Sequence, residues 1–176
     1  MTMINSKGKT ILVADTNVQD FPSAQRLVNI SKSCVRVARL FGFDPKVAFL
    51  SHSTFGKPVS KNTKHVRDAI ELLKKENVDF DFDGEMQPDV ALNPIYQDVY
   101  PFSKIVGRAN ILIMPALHSA AISTKLMKSF GGAKLIGPLL IGLDLPIEVA
   151  PLRSTTSDIL NLASIAAYSA DVIDYN

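Results

Sequence analysis

The chain has 176 residues, 47% of them apolar, enough for one domain with a sizeable core. Nineteen Lys and Arg against 17 Asp and Glu leave a net charge of +2 without long charge blocks, so there is no electrostatic footprint for nucleic acid. A single cysteine excludes an internal disulfide and fits a reducing, cytoplasmic setting, and no stretch approaches the roughly 20 apolar residues of a membrane span.

Residues 1–8 are polar and read as a loose N-terminus. Ile11 to Ala14 forms the first strand, ended by the turn formers Asp15, Thr16 and Asn17. Pro22 and Ser23 open a helix that runs to about Phe41 and stops at Gly42, with Pro45 beyond it. Cys34 shares its apolar face with Leu27, Ile30, Val37 and Phe41, the pattern of an inert core thiol. Val47 to Leu50 is the second strand, and it delivers the chain into the polar loop Ser51 to Gly56. A helix starting near Asn62 or Thr63 carries Val66, Ala69, Ile70 and Leu73 on one face. Val78 to Phe82 reads as the third strand, entering a tight structural turn at Asp83, Gly84 and Glu85 in which Glu85 pairs with an arginine. Pro88 to Tyr100 is a short helix or coil broken at Pro94.

Ile111 to Met114 is a buried strand stopped by Pro115. The helix after it is capped by Ser119, carries Ala120, Lys125, Leu126 and Phe130, and ends at Gly131-Gly132. Ala133 to Ile141 is a second buried strand, bent at Gly137-Pro138, so that strand, helix and strand make a parallel unit. A short edge strand around Ile147 to Val149 precedes the last helix, from about Thr155 to Ala170 within a segment that extends to residue 173. The alternation predicts one domain over 1–176, a three-layer α/β/α fold with a mainly parallel sheet. Along the last segment Ile159, Leu162, Ala163, Ile165, Ala166, Val172 and Ile173 offer more apolar surface than one packing face requires, so a patch is expected to remain for another chain or for a missing partner domain.

In parallel sheets ligands bind beyond the carboxyl ends of the strands, and the loop Ser51 to Gly56 occupies such a place. Ser51, Ser53, Thr54 and Gly56 present hydroxyls and amides suited to a phosphate or a pantetheine arm, with Lys57 and Arg67 to supply charge. The same residues also read as a hydroxyl-rich turn capping the next helix. Asp83 and Glu85 have no His or Cys at metal-ligand spacing, so no metal is expected there. His52, His65 and His118 are scattered and give no hydrolase triad, although His118 follows a strand end where a ligand would lie. No glycine-rich dinucleotide motif occurs.

Several segments in fixed order carry a resemblance: LSHSTFG at 50–56, VRDA at 66–69, DGEMQ at 83–87, GRAN at 107–110, MPAL at 114–117, GGA at 131–133 and IGPLLIGL at 136–143. Together they resemble the phosphate acetyl/butyryltransferase family over nearly the whole chain. ADTNV at 14–18 and RLFGFDPKVA at 39–48 are most similar to one branch, the C-terminal domain of large bacterial NADP-dependent malic enzymes. The resemblance implies a fold like that of isocitrate and isopropylmalate dehydrogenases, with this chain as the second of two domains plus a returning C-terminal helix. It implies acetyl-CoA or another acyl-CoA as ligand, a malic enzyme catalytic domain as partner, and a homo-oligomer. NADP and a divalent metal would belong to the parent enzyme, with no cofactor of this chain's own.

Active transacetylases have a Ser-Arg pair before the last helix and an Asp at its start, which position the thiol of CoA and the moving acetyl group. Aligned without gaps, these fall on Pro151, Leu152 and Asp158; a shift of one brings Arg153 to the arginine's place and puts Leu152 at the serine's. Neither proline nor leucine has a hydroxyl to offer. Ala120-Ala121 also stands where the acetyltransferases have Gly-Asn. The resemblance therefore implies an acyl-CoA-sensing, oligomerising domain without transferase activity. Two alternatives stay open. One is an active transferase built from Arg153, Asp158 and a hydroxyl of Ser154, Thr155 or Thr156, residues that otherwise cap the helix. The other is a pure oligomerisation domain.

Overall fold

Two apolar sets alternate along the inner strands and point to opposite sides of one sheet. The computed structural model describes residues 1–173, with Val172 and Ile173 by backbone alone. It orders the chain as β1 (Thr2–Ser6), β2 (Lys9–Ala14), α1 (Ala24–Leu40), β3 (Lys46–Leu50), α2 (Lys64–Glu76), β4 (Asp81–Met86), α3 (Pro88–Leu92), β5 (Ile111–Ile113), α4 (Leu117–Ser129), β6 (Lys134–Ile136) and α5 (Thr156–Ile173). The sheet order is β4-β3-β5-β2-β1-β6. Leu12, Val47, Phe49, Ile111 and Ile113 bury one face against α1, α2 and Leu162 of α5. Ile11, Val13, Ala48, Leu50 and Leu112 bury the other against α3 and α4. The expected three layers form, and β4, β3, β5 and β2 run parallel.

The helices follow their sequence signals closely. Ser23 caps α1 by accepting from the Arg26 amide at 3.3 Å. Cys34 lies fully buried on the core side of α1, and α2 buries Val66, Ala69, Ile70 and Leu73. Among the described residues no helix is long and apolar enough to cross a membrane.

Several expectations need correction. Residues 1–8 are not loose: Thr2–Ser6 forms β1, joined to β2 by a two-residue turn in which Lys7 and Gly8 have φ of 50° and 71°, a geometry that matches the twist of a hairpin. The third strand is not Val78 to Phe82 but Asp81–Met86, because its pairing with β3 starts at Lys46 opposite Asp81. Asp83, Gly84 and Glu85 consequently lie inside a strand rather than in a turn. The register slips there, with Phe49 opposite Gly84 and Leu50 opposite Met86, so Glu85 is the extra residue of a bulge. Gly84 has φ of 144°, and a Cβ on it would come 2.6 Å from the Phe49 carbonyl oxygen.

The strand expected over Ala133 to Ile141 is only three residues long, because Gly137 turns out of extended geometry at φ 133° and Pro138 has no N–H for the ladder. β6 runs in the direction of β5 but lies beyond β2 and β1, pairing antiparallel with β1. Ile147 to Val149 forms no strand, only a single bridge from Glu148 to Leu139. Helix α4 starts at Leu117, so Ser119 sits inside its first turn and donates to the Ala116 carbonyl at 2.7 Å. On α5, Leu162 is buried and Ile165 partly so, while Ile159 and Leu160 stay exposed, as do Leu145 and Leu152 of the preceding segment. The side chains of Val172 and Ile173, counted above towards the apolar surface, lie outside the described residues.

Candidate functional site at the carboxyl edge of the sheet

β3 and β5 are neighbours, yet the helix after β3 packs on one face of the sheet and the helix after β5 packs on the other. Where adjacent strands send their chains to opposite faces, a crevice opens beyond their carboxyl ends. Such a cleft is present, with a volume of about 670 Å³. Ser51 and His52 enter it from β3, Thr63 and His65 from the start of α2, and Ala116 and His118 from the start of α4. Among the described residues no Lys, Arg, Asp or Glu lines it.

The loop after β3 is built from inside. Its residues Thr54 to Lys57 close a tight turn, with Thr54 N–H donating to the Lys57 carbonyl at 2.9 Å and φ positive at Phe55 and Gly56. Beneath it Glu85, 1% exposed, gathers three donors on one oxygen: Ser53 Oγ at 2.9 Å, Gly56 N–H at 3.0 Å and Arg67 Nη1 at 3.3 Å. Phe55 N–H donates to the Glu85 carbonyl at 2.7 Å, and Thr54 Oγ1 accepts from the Gln87 amide at 3.2 Å. Arg67 spends its other donors on the Ser60 carbonyl and on Thr63 Oγ1. The bulge that displaces Glu85 from the ladder is therefore what turns its carboxylate under the loop.

The residues singled out in the sequence separate accordingly. Ser53, Thr54, Gly56 and Arg67 are brought together, and their polar groups bond within the protein. Ser51 lies at the cleft wall, with its Oγ 3.2 Å from Ser53 Oγ. Lys57 is exposed at the end of the turn. Asp83 is turned the other way from Glu85, accepting from the Lys104 amide at 2.7 Å. Arg153 and Asp158 do not join this set, since neither lines the cleft. Asp158 instead caps α5: its Oδ2 accepts from Thr155 N–H at 2.9 Å and Thr155 Oγ1 at 2.8 Å, while Thr155 Oγ1 accepts from the Asp158 amide at 3.2 Å. The Thr155 amide first, then its hydroxyl, holds this carboxyl below the ordinary carboxylate range. Arg153 is exposed.

Sequence order concealed the shared position of the three histidines, which come from three elements to one cleft. His65 Nε2 donates to the Pro115 carbonyl at 2.9 Å, and its ring rests on Phe21 with centroids 4.5 Å apart. A sign was available: each histidine follows a strand end or opens a helix on the same side of the sheet. Among the described residues no group of three His, Cys, Asp or Glu side chains is arranged to hold a metal ion.

The family model for phosphate acetyl/butaryl transferase matches residues 1–167. The chain is 47% identical to the NADP-dependent malic enzyme of Rhizobium meliloti over 164 residues, covering 93% of this chain and 22% of that protein. It is 34% identical to the phosphate acetyltransferase of Bacillus subtilis over 158 residues, 89% of this chain and 49% of that one. A phosphotransacetylase from Streptococcus pyogenes superposes with a TM-score of 0.90 at 34% identity, over 97% of this chain and 53% of that one. The chain thus spans about half the length of the transacetylases and about a fifth of the length of the malic enzyme it matches.

Proposed function

Because the chain belongs to the phosphate acetyl/butaryl transferase family, we propose that it is the phosphotransacetylase-like domain of an NADP-dependent malic enzyme, binding acetyl-CoA or another acyl-CoA without transferring the acyl group. Similarity to the malic enzyme named above supports the parent, in which malate oxidation, NADP and its metal would belong to other domains. The observation that carries the binding half is the cleft between the ends of β3 and β5, a switch-point crevice with hydroxyls and imidazoles on its walls. Against transfer stand Pro151 and Leu152 in place of the family's Ser-Arg pair and the engagement of Asp158 in capping α5. The exposed apolar residues of α5 and the preceding segment support a further role in holding subunits together.

Calorimetric titration of acetyl-CoA in phosphate buffer tests this. Saturable heat with the thioester intact is the expected result. Continuing heat with release of CoA would establish a transferase, and silence together with stable dimers would favour a domain that only joins subunits. In the full-length malic enzyme, acetyl-CoA is expected to change the rate of malate oxidation, since a ligand preferring one oligomeric state couples distant sites.

A further inference from the structure

His52, His65 and His118 are all the histidines of the chain, and all three line the same cleft. With no Lys, Arg, Asp or Glu among the described residues on that wall, they are the side chains whose type can change charge between about pH 5 and about pH 8. A carbonyl oxygen only accepts, so His65 Nε2 donates in this bond and leaves Nδ1 as the ring nitrogen free to face a ligand. The surroundings do not neutralise the trio in advance. On α2, Lys64 is paired with Asp68 at 2.6 Å and Arg67 with Glu85 at 3.3 Å. On α3, Asp89 accepts from the Tyr96 hydroxyl at 3.1 Å, and after β2 Asp15 is held by the amides of Asn17, Val18 and Gln19. Lys57 on the β3 loop, Lys61 before α2, Asp20 next to Phe21 in sequence, and Lys125 and Lys128 further along α4 do not line the cleft. Helix α4 starts at the cleft without a side-chain cap and favours negative charge there, whereas α2 continues a short helical turn that Ser60 caps by accepting from the Asn62 amide at 3.2 Å.

We propose that His52, His65 and His118 form a proton-gated oxyanion subsite: protonated, they hold a phosphate- or sulfate-type dianion in the cleft, and neutral, they release it. This rests on reading the cleft as the ligand site and adds a charge rule to it. The oxyanion can be a free anion or the phosphate of a larger ligand.

Sulfate is the probe, because it stays dianionic throughout the histidine range, and chloride holds the ionic strength fixed. Titrated calorimetrically into this chain, sulfate is expected to bind at least about tenfold more tightly at about pH 5.5 than at about pH 8, as linkage requires when a proton is taken up with the anion. The gain should vanish in a His52→Gln/His118→Gln variant, whose changes lie at exposed positions, and nitrogen NMR should show sulfate shifting the titration of all three imidazoles in the unaltered protein. Equal affinity at both pH values, a gain surviving in the variant, or imidazoles that ignore sulfate would overturn the proposal. Pantetheine, which lacks phosphate, is expected to bind without this pH effect, whereas acetyl-CoA should show it if the anion is its own phosphate; a pH effect carried by pantetheine overturns the oxyanion assignment. Acetyl-CoA bound at about pH 7.5 with no sulfate response leaves the acyl-CoA reading standing and removes the subsite. Sulfate response without acetyl-CoA binding does the reverse.

Discussion

Replacing Glu85 by alanine removes the carboxylate on which the β3 loop rests. Ser53, fully buried, is left with only Ser51 Oγ at 3.2 Å, and Gly56 N–H loses its acceptor. A buried donor without a partner costs about 1–3 kcal/mol. Breaking a buried ion pair costs about 3–5 kcal/mol, but the Arg67 side chain is 34% exposed and keeps Ser60 and Thr63, so water and those partners recover part of it. The sum expected is about 3 kcal/mol, or a fall of about 6–12 °C in Tm for a domain of this size. Glu85→Gln keeps an acceptor oxygen and the volume, losing only the charge in the hydrogen bonds, and is expected to cost about 1 kcal/mol. Urea unfolding with m-values compared across the three proteins measures both. An alanine variant within about 0.5 kcal/mol of the parent, or a glutamine variant as weak as the alanine one, would refute the account of the loop.

Gly84→Ala is expected to lose about 3 kcal/mol or more in the same assay, since a Cβ there meets the Phe49 carbonyl oxygen at 2.6 Å on a backbone with φ of 144°; a loss under about 1 kcal/mol would contradict the bulge geometry. Burial pushes the Cys34 thiol up to about 12, so a thiol-specific reagent should label it at the rate of global unfolding and not before. The Asp158 carboxyl is depressed in the folded state, so its contribution is present above the unfolded value of about 3.9 and is lost as pH falls through the folded one. Melting temperatures of the parent and Asp158→Asn should therefore differ above about pH 4 and converge as the pH falls through the depressed folded value.

The helices were legible because their signals are local. Ser23 before α1 and the 3.6-residue spacing of Val66, Ala69, Ile70 and Leu73 need no partner to be read. The inner strands β2, β3 and β5 were legible as apolar runs. What failed depends on pairing. Thr2–Ser6 shows little hydrophobicity, and becomes a strand through ladders to residues around 11 and 135. Glu85 reads as a surface acid in a Gly-centred turn until the register with Phe49 and Leu50 places it in a bulge. The pairing of Glu85 with an arginine was legible as chemistry while its position was not. For the site, the β3 loop was found from its place at a strand end, whereas its polar groups are satisfied by a residue 32 positions away from Ser53. The common cleft of the three histidines follows from β3 and β5 being adjacent, and adjacency is not written in either strand.

β6 has no sheet partner but β1 among the described residues, and β1 is the first strand of the chain. The sheet is finished on this side only when Met3 finds Ile136, across most of the sequence. Such a closure is entropically late, so β1, already hairpinned to β2, should spend part of the folding process as the bare edge of the sheet. Trimming eight residues from the start would remove β1 altogether, orphaning β6 and leaving β2, rich in Ile, Leu and Val, as a permanent edge on which strands from other molecules could assemble.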